Sequence, residues 1–128
     1  VDAGFGDLMR PAMYGAHHEM TVLPASGELP ADAPTFPSVV AGPLCESGDV
    51  FTQGEGGVVL TRELPPANIN DLLVIHDTGA YGASMSSNYN SRPLIAEVLV
   101  GPKAQGGQPR LIRRRQRMDE LLALEQGL

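Results

Sequence analysis

Three observations predict a mainly β domain, a barrel or sandwich with one short C-terminal helix. Fifteen glycines and eleven prolines among 128 residues cut most apolar runs to strand length. Short strand-like segments follow one another in quick succession between tight turns, as in small all-β domains. Good helix formers gather into a run with a partly apolar face only beyond residue 116. At this length about two-thirds of the unfolded surface is buried on folding, so one core is expected.

Taken in order, the chain opens on Val1 rather than Met, and Val1-Asp2-Ala3-Gly4-Phe5 reads as the end of a strand already under way. The expectation is a piece of a longer protein. Arg10-Pro11-Ala12-Met13-Tyr14-Gly15 is bracketed by Pro and Gly, which predicts a turn or one short helical turn. Residues 22–37 carry Pro24, Pro30, Pro34 and Pro37 among small and acidic residues and read as a surface loop. Strands are predicted at 35–41, 50–52, 58–62, 71–76, 94–100 and 110–114, with Gly54-Glu55-Gly56-Gly57 as a hairpin turn. Leu72-Leu73-Val74-Ile75 is apolar on both faces and predicts a doubly covered central strand, whereas Leu111-Ile112-Arg113-Arg114 has one wet side. Residues 101–109 form a Gly- and Pro-rich hairpin loop holding Lys103, the sole lysine. A helix over 117–126 brings Met118, Leu121, Leu122 and Leu124 partly onto one face, and Gly127 stops it.

Hydrophobic residues at 42% and charged residues at 19% are ordinary globular usage, far from the signature of disorder. A net charge of -6 argues against a nucleic-acid footprint. The local run Arg113-Arg114-Arg115-Gln116-Arg117 reads as a solvated or interface-lining strand, because alternate residues on a strand face opposite ways. A single cysteine, Cys45, excludes an intrachain disulfide, and no signal-like segment opens the sequence, which points to the cytoplasm. No apolar stretch approaches the roughly 20 residues that span a bilayer.

Cys45-Glu46-Ser47-Gly48-Asp49 is the segment most loaded with chemistry, at the end of an apolar strand where sites are built. One reading makes Cys45 a buried small hydrophobe and Asp49 a turn residue. The other makes Cys45 a general acid, since neighbouring carboxylates disfavour a thiolate and leave a thiol suited to donating a proton. Thr78-Gly79-Ala80-Tyr81-Gly82-Ala83-Ser84-Met85 reads either as a strand end that lets a phosphate or carboxylate approach the Tyr81 phenol, or as a Gly-lined bend with a packed Tyr. Arg10 and Tyr14, four apart, grip one carboxylate together if their segment is helical; a surface ion pair is the plainer account. His17, His18 and His76 make no recognisable metal-ligand spacing with Cys45, so no metal is expected and the histidines read as structural.

Together, the segments at 10–14 (RPAMY), 42–49 (GPLCESGD) and 79–82 (GAYG) resemble, in order and spacing, the C-terminal signatures of the diaminopimelate decarboxylase family. Residues 86–93 and the ending from Arg113 through Leu122 extend the resemblance over essentially all of residues 1–128. It implies the C-terminal β-domain of a fold-type III pyridoxal-phosphate decarboxylase of the alanine-racemase kind, whose N-terminal (β/α)₈ barrel is absent from this chain. The Schiff-base lysine, the phosphate loop and the histidine that stacks on the ring would belong to that barrel, and Lys103 lies in the wrong context to replace the first.

By the same resemblance the complete protein would be a carboxy-lyase converting meso-diaminopimelate to L-lysine and carbon dioxide. Arg10 and Tyr14 would hold a substrate carboxylate, Glu46 the distal ammonium, and Cys45 would be the catalytic proton donor. Tyr81 would hydrogen-bond the phosphate of pyridoxal 5'-phosphate and border the substrate. The Cys45–Glu46 loop would serve the partner's site in a homodimer, with neither nucleic acid nor membrane as partner, and the chain alone would be inactive. Two other readings stand beside this one: a decarboxylase of the same fold acting on ornithine, arginine or carboxynorspermidine, and a non-catalytic β-domain that regulates a decarboxylase through mixed dimers.

Overall fold

The computed structural model describes residues 1–27, 29, 32–103 and 106–127. Backbone contacts divide the chain into two units, Val1–Ser86 and Ser87–Leu128. Short β-strands predominate over a few helical turns, and among the described residues the strands pair into three separate two-stranded antiparallel sheets.

In the first unit, helix α1 (Arg10–Tyr14) is short because its ends are set by sequence: Pro11 suits the first turn, and Gly15 closes it at φ 60°. The Gly15 amide donates to the Pro11 carbonyl at 2.9 Å. A side chain on Gly15 would come within 2.4 Å of the Glu55 amide nitrogen, so the helix end is seated directly on the 54–57 turn. Strand β1 (Met20–Leu23) pairs with β4 (Leu72–Ile75), Met20 opposite Ile75 and Leu23 opposite Leu72. Asp71 ties the end of β1 to the start of β4 by accepting the amides of Asn68 (2.7 Å) and Ala25 (2.9 Å), in that order the bonds that hold its carboxyl below the ordinary range. Strand β2 (Phe36–Ser38) pairs with β3 (Arg62–Leu64). Single bridges join Ala41 to Val50 and Gln53 to Val59.

Leu8, Val22, Val40, Phe51 and Leu64 are buried together, with Met20, Leu73 and Ile75 packed against them. Thr52 is fully enclosed beside this core, and its hydroxyl accepts the Val40 amide at 3.1 Å, so the buried polar group is satisfied.

The second unit is a hairpin of β5 (Glu97–Val100) and β6 (Pro109–Arg113), followed by α3 (Met118–Leu121) and a 3₁₀ turn at Ala123–Glu125. A bulge between Glu97 and Val98 sets the register, which leaves Glu97 opposite Arg113 in an ion pair of 2.7 Å. Gln116 ties the chain back by accepting the Leu94 amide (3.0 Å) and an Asn88 side-chain N–H (2.6 Å).

Several expectations need correction. The region 22–37 is not loop throughout: it begins inside β1 and ends in β2, where Pro37 sits on an edge strand that spares its missing N–H. Pro30 lies outside the described residues, as do Ala104 and Gln105 of the expected 101–109 loop. The strand at 58–62 is reduced to the bridge at Val59, and regular pairing starts at Arg62. The 71–76 strand is neither central nor doubly covered: among the described residues it pairs with β1 alone, and Leu72 is 65% exposed. The 117–126 helix breaks at Leu122, whose ψ of 11° leaves the helical region. Residues 79–84 form a helix, α2 (Gly79–Ser84), rather than a strand end, because Gly79 turns the chain at φ 62° and alanines follow it.

Candidate active site

α1 and α2 bring three of the expected site residues together. The Arg10 guanidinium carbon lies 5.4 Å from the centroid of the Tyr14 ring and 5.4 Å from that of the Tyr81 ring. The first contact follows from helical spacing, four residues being one turn. The second depends on α2, which carries Tyr81 and lies near Leu8 of the core, some 4.0 Å from where a side chain on Gly82 would begin. Both tyrosines are more than half exposed, and their ring faces flank the cation. Two aromatic faces attract a guanidinium and limit its rotamers without using its N–H groups, which remain able to grip a planar anion. Beside α1, a groove of about 400 Å³ is lined by Met13, Tyr14, Gly15 and Glu55.

Cys45 and Glu46 are held by a different device. They occupy the turn between the two residues of the Ala41–Val50 bridge, and Cys45 is exposed, against the reading of a buried hydrophobe. Glu46 closes its own turn: its carboxylate accepts the Gly48 amide at 3.1 Å and the Ser47 hydroxyl at 3.3 Å. Asp49 is 2% exposed and is far more than a turn residue. One of its carboxylate oxygens accepts the Leu44 amide at 2.8 Å, and the other accepts the Phe5 amide at 2.7 Å. Its backbone carbonyl accepts the Gly42 amide at 2.8 Å. Sequence reasoning missed this role because the second partner lies 44 residues away; the signal available was an acid placed just where the loop rejoins the strand.

Two of the histidines are tied into the β1–β4 pair. The buried His18 donates from Nδ1 to the His76 carbonyl at 3.0 Å, and His76 Nε2 shares a hydrogen bond of 2.8 Å with the Thr21 hydroxyl. Among the described residues no three His, Cys, Asp or Glu side chains are grouped to hold a metal ion, and no helix is long and apolar enough to cross a membrane. The basic run is largely paired within its own unit: Arg113 with Glu97, Arg114 with Glu120, and Arg117 with Asp119 at 2.8 Å.

Residues 1–79 match the family described as the C-terminal sheet domain of pyridoxal-dependent decarboxylases. The chain belongs to this family. It is 67% identical over 125 residues to the diaminopimelate decarboxylase of Escherichia coli K12, a match that covers 98% of this chain and 29% of that protein. A crystal structure of a diaminopimelate decarboxylase superposes with a TM-score of 0.91 at 67% identity, covering 98% of this chain and 29% of that one. The enzyme from Helicobacter pylori, solved with L-lysine, superposes at 0.78 with 36% identity, covering 100% and 28%. The chain thus spans about three-tenths of the length of its relatives.

The family implies pyridoxal phosphate, and the residues present fit one part of its site. Tyr81 is exposed with its ring face on the Arg10 cation, and the space where a side chain on Gly79 would begin is open, so a phosphate can reach this stretch. Lys103, the sole lysine, belongs to the other unit, between β5 and β6.

Proposed function

We propose that residues 1–128 form the C-terminal β-domain of a diaminopimelate decarboxylase, which converts meso-diaminopimelate to L-lysine and carbon dioxide in the cytoplasm. The 67% identity over nearly the whole chain carries this reading. The arrangement of charges agrees with it, because a fixed cation at Arg10 and a carboxylate at Glu46 suit a substrate with an amino-acid group at its far end. A polyamine precursor without that carboxylate has no use for Arg10.

In this reading Arg10 receives a substrate carboxylate through its forked N–H edge, and the Tyr14 hydroxyl adds a donor. Glu46 takes the distal ammonium. Tyr81 donates its hydroxyl to the cofactor phosphate and borders the substrate. Pyridoxal phosphate, when bound, supplies the electron sink that lets a carboxylate leave as carbon dioxide. Cys45 then donates its Sγ proton to the carbon that carried the lost carboxylate, and solvent returns the thiolate to the thiol. The Cys45–Glu46 turn serves the site of the partner subunit in a homodimer.

The test is made in the full-length polypeptide. With meso-diaminopimelate it is expected to release carbon dioxide and L-lysine in equal amounts, with ornithine and arginine far poorer substrates. Cys45→Ala is expected to lower turnover by roughly 10²- to 10⁴-fold, the loss typical of a missing proton donor, with the cofactor still bound. Normal turnover and normal product in that variant remove Cys45 from the mechanism.

A further inference from the structure

The Asp49 side chain joins the Cys45 turn to the segment leading into α1. A buried carboxylate is costly unless hydrogen bonds replace its water, and here backbone amides do so: Leu44 on one oxygen and Phe5 on the other. Leu44 immediately precedes Cys45, while Phe5 lies in the stretch that continues through Leu8 of the core to Arg10. The turn is thus tied at two points, and the site for the carboxylate is built into the neighbouring backbone. A side chain on Gly42 would lie 2.2 to 2.5 Å from the Asp49 carboxylate, and one on Gly4 would reach 2.9 Å from the Leu44 methyl and 3.4 Å from the carboxylate. Gly42 needs to be glycine because the carboxylate fills the space, whereas at Gly4 the Leu44 side chain would have to shift.

We propose that Asp49 is a positioning residue for the reaction: by clamping the Leu44 and Phe5 amides it fixes the Cys45 turn against the body of its own unit, so that Cys45 is presented to the partner's site in one orientation. The proposal rests on the reading of Cys45 as proton donor. A thiol on a loosely seated turn samples many directions, whereas proton transfer requires a narrow range of distance and angle. Asp49 supplies the restriction without touching substrate.

The experiment uses the full-length decarboxylase and three variants: Asp49→Ala, Asp49→Asn and Gly42→Ala. Steady-state kinetics with meso-diaminopimelate are read together with amide hydrogen exchange at Phe5 and Leu44 and with the thermal midpoint. Asp49→Ala is expected to lower kcat by about 10- to 100-fold with KM moving less than about 3-fold, the range a misplacement near 1 Å produces. The Phe5 and Leu44 amides should exchange at least about tenfold faster, while β1 and β4 keep their protection. Asp49→Asn should fall between, since its amide keeps one acceptor oxygen but turns an NH₂ toward a backbone N–H. Gly42→Ala should reproduce the slow, loosened state with the carboxylate still present, by crowding it out of place.

A folded Asp49→Ala enzyme with kcat within about 2-fold of the parent overturns the proposal. So does a loss of kcat that only follows the folded fraction. If Asp49→Ala does not fold, Gly42→Ala and Asp49→Asn decide by the same criteria. Normal turnover in Cys45→Ala marks the failure of the proton-donor reading instead, and a slow Cys45→Ala beside a normal Asp49→Ala removes only the clamp.

Discussion

The two units of the chain put their apolar residues to different use. Val1–Ser86 buries Leu8, Val22, Val40, Phe51 and Leu64 around one centre, whereas no described residue of Ser87–Leu128 is buried. Val98, Leu99, Val100, Leu111 and Ile112, from both strands of the second unit's hairpin, are all exposed by about half or more. A lone two-stranded hairpin is marginal in water. The first unit therefore carries its own stability, and the second depends on whatever covers its ribbon. The candidate site residues all lie in the unit with the core, where side chains are held against a fixed background.

This contrast is sharpened most strongly by Phe51→Ala. Phe51 is 2% exposed, and its loss should destabilise the first unit by about 3–5 kcal/mol, read as a shift in the denaturant midpoint. Leu111→Ala should change stability by no more than about 0.5 kcal/mol in the 128-residue chain, as expected for an exposed position. A cost near that of Phe51→Ala would show that the ribbon has a core of its own and would break the comparison.

The smallest expected effect concerns pH and the C-terminal turn. The Arg114 side chain, bonded to Glu120, holds that carboxyl down from 4.5 to about 2, with the Arg117 amide contributing at 2.8 Å. The folded state thus prefers the ionised acid more than the unfolded state does. The resulting stability is full above the ordinary carboxyl range and disappears as pH falls through about 2. Circular dichroism should show part of the helical signal fading between about pH 4.5 and 2, and Glu120→Gln should abolish that transition. A profile unchanged by the substitution would assign the fading to other acids.

Much of the fold was legible because the relevant information is local. Pro11 and Gly15 bracket α1, the 54–57 turn joins a bridged pair, and the apolar runs at 72–75 and 97–100 are strands. β1 was hidden by the proline that follows it at once, although Val22 is buried and its neighbours on either side are exposed. α2 was misread because two glycines within four residues look like a strand bend, and only the backbone angle at Gly79 shows the change of direction. In the site, the pairing of Arg10 with Tyr14 could be read from their spacing. Tyr81 beside the same cation could not, and neither could Asp49 beneath Phe5, because those contacts are made by the fold rather than by neighbours in sequence.

The position of Arg10 between two phenol rings also has an optical consequence. The chain contains no tryptophan and three tyrosines, two of which face this guanidinium. Two of its three near-ultraviolet fluorophores therefore border the proposed carboxylate receptor. An anion taken by Arg10 draws charge away from both ring faces at once, so the domain carries an intrinsic, label-free reporter of occupancy at the place where a ligand would be held.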